Sequence, residues 1–146
     1  MPEQEEKLDE ELAVERLNAA LANQYRSALQ YSVVAASLAG LEAQAVGTKL
    51  TEFGDAELDG ARGLIEKVVS FGGEPSTEVA PLRFHAETAA ALAWLIECEE
   101  EAVEALQESI EPTGREGRSE ALEHMLEHLI MRKQQQVDFL KRAASG

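Results

Sequence analysis

Four segments of this 146-residue chain carry an apolar stripe that advances by four and three residues, and each stripe is interrupted by polar side chains near its middle. In the last segment the stripe reads Leu122, Leu126, Leu129, Lys133, Gln136, Leu140. In the first it reads Leu17, Leu21, Gln24, Ala28, Tyr31, Ala35, Leu38; in the second, Val46, Leu50, Phe53, Glu57, Gly60, Leu64; in the third, Leu92, Ile96, Glu99, Val103, Leu106, Ile110. This is the spacing of one helix face packed along a bundle. Lysine and glutamate are almost never buried without partners. Antiparallel helices place their middles at one height. Gln24, Glu57, Glu99, Lys133 and Gln136 are therefore expected to meet in one polar layer, with Tyr31 and the side-chain-free Gly60 beside it.

The chain is long enough for one domain that buries roughly two-thirds of its unfolded surface. Thirteen Lys and Arg stand against 28 Asp and Glu, a formal net charge of -15. Such a field repels nucleic acid and anionic membranes and attracts cations and basic partners. The single cysteine, Cys98, excludes an internal disulfide and fits a reducing compartment. MPEQEEKLDEE at the start has no apolar core of a signal peptide, and no run approaches the roughly 18 apolar residues of a membrane span. A cytoplasmic location is expected. No Gly-rich phosphate loop, nucleophile triad or basic patch is present.

Residues 1–7 are charged and expected to fray, leaving 8–144 as a single domain. The first helix is expected from about Asp9 to Ala39, stopping at Gly40, and the second from Leu41 to the Gly72–Gly73 pair. Residues 74–85, with two prolines, form the only long connection. The third helix is expected over Ala86 to Glu111 and the fourth over Arg118 to Ala143, joined by the turn PTGREG. No segment alternates with period two, so no strands are expected. Two short turns and one long crossover between the second and third helices give the ferritin-like arrangement of an all-α four-helix bundle.

A second apolar stripe runs along the first helix (Ala22, Tyr25, Leu29, Val33, Ala36) and another along the second (Leu58, Ala61, Ile65, Val69). Either these residues border the core of one chain or they form the face of a homodimer, which is the favoured reading. His124 and His128 have a spacing able to clamp a transition metal, but no third ligand accompanies them and they are read as surface histidines. Trp94 is expected beneath the crossover and Cys98 as a small buried hydrophobe. Glu97, Glu100, Glu101 and Glu104 read as a solvated face, or alternatively as a collector of cations.

LNAALANQYRSALQY, Leu17 to Tyr31, resembles the opening of the bacterioferritins, Leu-Asn-x-x-Leu-Ala-x-Glu followed by a Gln-Tyr pair. The likeness continues through Leu38-Ala39-Gly40-Leu41 and, by spacing, to Leu140. In that family two glutamates and two Glu-x-x-His motifs hold a di-iron centre in the bundle. Carried over, the resemblance places Gln24 at the first glutamate and Glu57-Leu58-Asp59-Gly60 at the first Glu-x-x-His. Glu99 falls at the second glutamate and Lys133-Gln134-Gln135-Gln136 at the second Glu-x-x-His. The haem-ligating methionine falls on Leu58, so no haem is implied. The family's short fifth helix would follow the fourth, and the sequence stops at Gly146, so the 24-subunit cage is not expected. Light-chain ferritins resemble this exchange, with a lysine salt bridge in place of iron.

Glu57 and Glu99 remain as candidate metal ligands, and three readings stay open. The first is a ferritin-like protein that binds or stores iron without its own ferroxidase centre, its layer held by ion pairs and its catalytic residues gone. The second is an oxidase-type enzyme with a rearranged metal site using Glu57 and Glu99. The third is a metal-free interaction or scaffold protein that keeps only the fold.

Overall fold

The computed structural model describes residues 8–41, 43–110, 114 and 116–145. The fraying expected of residues 1–7, and most of the turn between the third and fourth helices, lie outside the described residues. Four long helices make up most of the described residues: α1 Glu10–Ser37, α2 Thr48–Ser70, α3 Thr88–Ile110 and α4 Gly117–Ser145. A short π-helical segment, Ala43–Gly47, leads into α2. No strand is present among the described residues.

Local chemistry sets the helix ends. Asp9 caps α1 by accepting the backbone N–H of Leu12, which satisfies one of the donors orphaned at a helix start. Leu38 is extended, and Gly40 takes a left-handed turn (φ 66°) that only glycine adopts freely. At the end of α2, Gly72 is again left-handed (φ 79°). The N–H groups of Gly72 and Gly73 return to the carbonyls of Val69 and Val68, both at 2.9 Å, the paired closure of a Schellman motif. Gly73 is glycine for a different reason. A Cβ there would lie 2.6 Å from Val14 Cγ1, so the chain passes too close to α1 for any side chain.

The connection from 74 to 85 runs along α1 as an extended strap. Asn18 brackets it, donating to the Glu74 carbonyl at 3.0 Å and accepting from the Ser76 N–H at 2.8 Å. Tyr25 Oη donates to the Ser76 carbonyl at 2.9 Å, and the Ala80 N–H reaches the Ala22 carbonyl at 3.1 Å. Gln30 closes the far end, donating to the Arg83 carbonyl at 2.7 Å and accepting from the Arg83 N–H at 3.0 Å. The strap therefore travels in the direction of α1 and delivers α3 antiparallel to it. Trp94 on α3 lies under the strap as expected, its indole N–H on Gln30 Oε1 at 2.8 Å and the Arg83 guanidinium 4.3 Å from its ring.

Two apolar clusters fill the bundle, one above and one below its midpoint. The first gathers Leu17, Leu21, Leu64, Val68, Leu106, Leu122 and Leu126. The second gathers Tyr31, Val34, Leu50, Leu92, Leu95 and Leu140. Of the two second stripes, Leu29, Val33, Ala36, Leu58 and Val69 are exposed, whereas Ala61 is fully buried and belongs to the core of the chain.

Candidate functional site

Between the two clusters lie the polar residues that interrupt the four stripes. Gln24, Tyr31, Glu57, Glu99 and Lys133 have no exposed surface and Gln136 has 3 %. Each helix contributes at its midpoint, because the helices are antiparallel neighbours of similar length.

Lys133 is the hub. Its ammonium donates to Glu57 Oε2 in a short ion pair, to Glu99 Oε1 at 3.1 Å and to Ser27 Oγ at 3.3 Å, so all three of its hydrogens have acceptors. Gln136 Nε2 spans the same two carboxylates from the other side, at 2.8 Å from Glu57 Oε1 and 2.9 Å from Glu99 Oε2. Glu99 also accepts from Ser27 Oγ at 2.5 Å and Tyr31 Oη at 3.1 Å. Gln24 Nε2 donates to Glu57 Oε2 at 2.6 Å and to the Glu57 backbone carbonyl at 2.8 Å. Gln24 Oε1 is buried without a hydrogen-bond partner.

A second cation completes the charge balance. Arg132, a third exposed, holds Nη2 3.4 Å from Glu57 Oε1. With Lys133 it balances the two carboxylates, so the layer carries no net charge. Arg132 and Ser27 lie outside the stripes and were not among the sequence candidates. Gly60, expected beside the layer, leaves space that two of its neighbours use. A Cβ at Gly60 would lie 2.7 Å from Gln24 Nε2 and 2.9 Å from Arg132 Nη2, so the missing side chain admits the amide and the guanidinium.

The electrostatics follow from this arrangement. Burial alone would raise the Glu57 pKa, but Lys133 and Arg132 outweigh it and hold the carboxyl below the usual carboxylate range. Burial alone would lower Lys133, but Glu99 and Glu57 outweigh it and hold the ammonium above its ordinary value. Burial, and then the charges of Glu99 and Glu57, push the Tyr31 phenol far up, so it stays a hydrogen-bond donor. Cys98, buried beside Glu99, is pushed up to about 11 by burial.

The remaining candidates lie elsewhere. His124 and His128 stack with ring centroids 6.0 Å apart on the exposed face of α4. Glu101 pairs with the buried Arg26 at 2.5 Å, and Glu100 with Lys141 at 3.5 Å, so part of the acidic face of α3 is engaged in ion pairs. Leu58 points out of the bundle, lining an apolar hollow of about 250 Å³ with Tyr25, Leu29 and Val79. Among the described residues, no three His, Cys, Asp or Glu side chains converge in a group able to hold a metal ion. No helix among them is long and apolar enough to cross a membrane.

The fold is similar to several solved structures. A ferritin-like, diiron-carboxylate protein from Bacillus anthracis superposes with a TM-score of 0.86 at 23 % identity, covering 93 % of this chain and 97 % of that one. A Rhodobacter capsulatus bacterioferritin, described with a metal-free dinuclear site and a haem iron, gives 0.83 at 24 %, covering 96 % and 87 %. A bacterioferritin-related dodecameric thioferritin from Bacteroides fragilis gives 0.84 at 18 %, covering 95 % and 88 %. At these identities the likeness establishes the fold. No curated protein matches the sequence. The model of the ferritin-like domain matches residues 14–145, nearly the whole helical bundle. This chain therefore belongs to the ferritin-like domain family.

Proposed function

We propose that this protein is an iron-binding or iron-storage member of the ferritin-like family that lacks a ferroxidase centre of its own. The observation that carries the reading is the position of the Lys133 ammonium between Glu57 and Glu99, where it donates to both. A di-iron centre needs carboxylate lone pairs and imidazole nitrogens directed at two cations. Here those lone pairs are taken by Lys133, Gln136, Gln24, Ser27 and Tyr31, and no histidine stands in the layer. This donor set does not fit a di-iron centre. Glu57 and Glu99 act in this reading as the acidic half of a structural ion cluster.

Two further observations support an assembled, haem-free protein. The exposed stripe of Leu29, Val33, Leu58 and Val69 has the character of a helix face that a second copy covers, and Leu58 offers no haem-ligating atom. The net charge of -15 favours gathering cations. A cytoplasmic location fits a chain whose single cysteine, Cys98, is free and buried.

Aerobic loading with ferrous iron, followed by mass and iron analysis of the same fractions, tests this function. The expected product is an assembly of at least two chains that retains iron after gel filtration. A monomer that retains none would favour a scaffold that keeps only the fold.

A further inference from the structure

Among neighbouring helices α2 and α4 pack least closely, and a groove of about 400 Å³ opens between them directly over the polar layer. Its lining is unlike the rest of the surface. Lys49, Arg132 and Arg142 supply three cations against the single carboxylate of Glu52, on a chain whose net charge is -15. Its walls are apolar, formed by Ala56 and by the rings of Phe53 and Phe139, which meet edge to face at 5.4 Å.

The cations are incompletely used. Lys49 pairs with Glu52 at 3.4 Å, at the exposed rim. Arg142 has no ion pair among the described residues. Arg132 keeps Nε and Nη2 buried without a hydrogen-bond partner, its 3.4 Å approach to Glu57 being an ion pair without hydrogen-bond alignment. Nη2 is turned into the layer, beside Glu57 and Gly60, so Arg132 meets the groove with the exposed remainder of its side chain. The planar fork of Arg142 suits a carboxylate.

We propose that this groove binds a small organic carboxylate, the anionic head set against Arg132 and Arg142 and the apolar body against Phe53, Phe139 and Ala56. The volume lies within the range of small-molecule sites, and the mixture of apolar wall and few polar anchors is their usual make-up. The proposal does not depend on whether the protein handles iron, since it rests on groove residues alone.

Calorimetric titration of the full chain with octanoate, octanol and inorganic phosphate tests it. Octanoate is expected to bind saturably at one per chain, and both octanol and phosphate at least tenfold more weakly. Arg142→Ala combined with Lys49→Ala is expected to weaken octanoate at least tenfold while the thermal transition is retained. Ala56→Phe, which fills the groove without touching its charges, is expected to do the same. Equal binding of octanol would reduce the site to an apolar hollow, and equal binding of phosphate to an oxyanion site; either overturns the proposal. Octanoate binding unaffected by both variants, or absent at millimolar concentration, also overturns it.

Discussion

Lys133 donates all of its ammonium hydrogens inside a closed layer, so removing it leaves two carboxylates with one partly exposed arginine. Breaking a buried pair in this way costs roughly 3–5 kcal/mol. Lys133→Ala is expected to lose that much at neutral pH in chemical denaturation; a loss below about 1 kcal/mol would mean the carboxylates find other partners. The pH dependence has a definite sign. Glu57 is depressed in the folded protein, so its contribution is complete above the unfolded value of about 4.3 and is lost as pH falls through the folded value. Lys133 is elevated, so its contribution is complete below about 10.4 and is lost as pH rises through the folded value. The contribution of these two groups to native stability should therefore be level from about pH 5 to about pH 10 and decline on either side. In Lys133→Ala the buried carboxylates lose the ammonium that holds Glu57 down and take up a proton at higher pH, so the stability difference narrows as pH falls. A difference that widens as pH falls below neutral would contradict the assignment. The layer was legible in the sequence because one polar break per stripe needs partners at the same height. Arg132 was not, since it lies one residue off the stripe on α4. Charge could have found it. Two carboxylates and one ammonium leave a buried negative charge, and the adjacent arginine is the nearest group able to cancel it.

The strap between α2 and α3 shows the same division at the level of elements. Its length and its two prolines marked it as a crossover, and the Gly72–Gly73 pair marked the helix end. Its fastenings were hidden, because Asn18 and Gln30 look like ordinary polar positions on a helix until the strap lies against them. Gln30 alone holds the Arg83 backbone through both its donor and its acceptor and also receives the Trp94 indole. Gln30→Ala would strip a partner from the buried Trp94 indole, at about 1–3 kcal/mol for a buried group left unsatisfied, and would release the Arg83 backbone from its partly buried hydrogen bonds. The expected outcome is a destabilised protein whose Trp94 fluorescence shifts to the red while helical circular dichroism is kept. An unchanged spectrum would show that Arg83 and Arg26 hold the indole without Gln30.

For the whole molecule, the proposed second chain would cover the exposed apolar face of α1 and α2. Leu29 and Leu58 are 46 % and 45 % exposed, at facing positions of the hollow they share. Leu29→Asp with Leu58→Asp is expected to yield monomers by light scattering with the helical signal intact, whereas the native chain is expected to form dimers or larger assemblies. A native chain that is monomeric at high micromolar concentration would refute the interface.

The proposal that an ion cluster stands in place of a di-iron centre is tested most directly by rapid mixing of the apoprotein with about two equivalents of Fe(II) in oxygenated buffer, since two ions per chain is what the complete ligand set would hold. The expected trace shows no fast oxidation phase and is the same for the native protein and Glu57→Gln. A fast phase that saturates at about two Fe(II) per chain and disappears in Glu57→Gln would contradict it, and would make Glu57 a ligand in a working site.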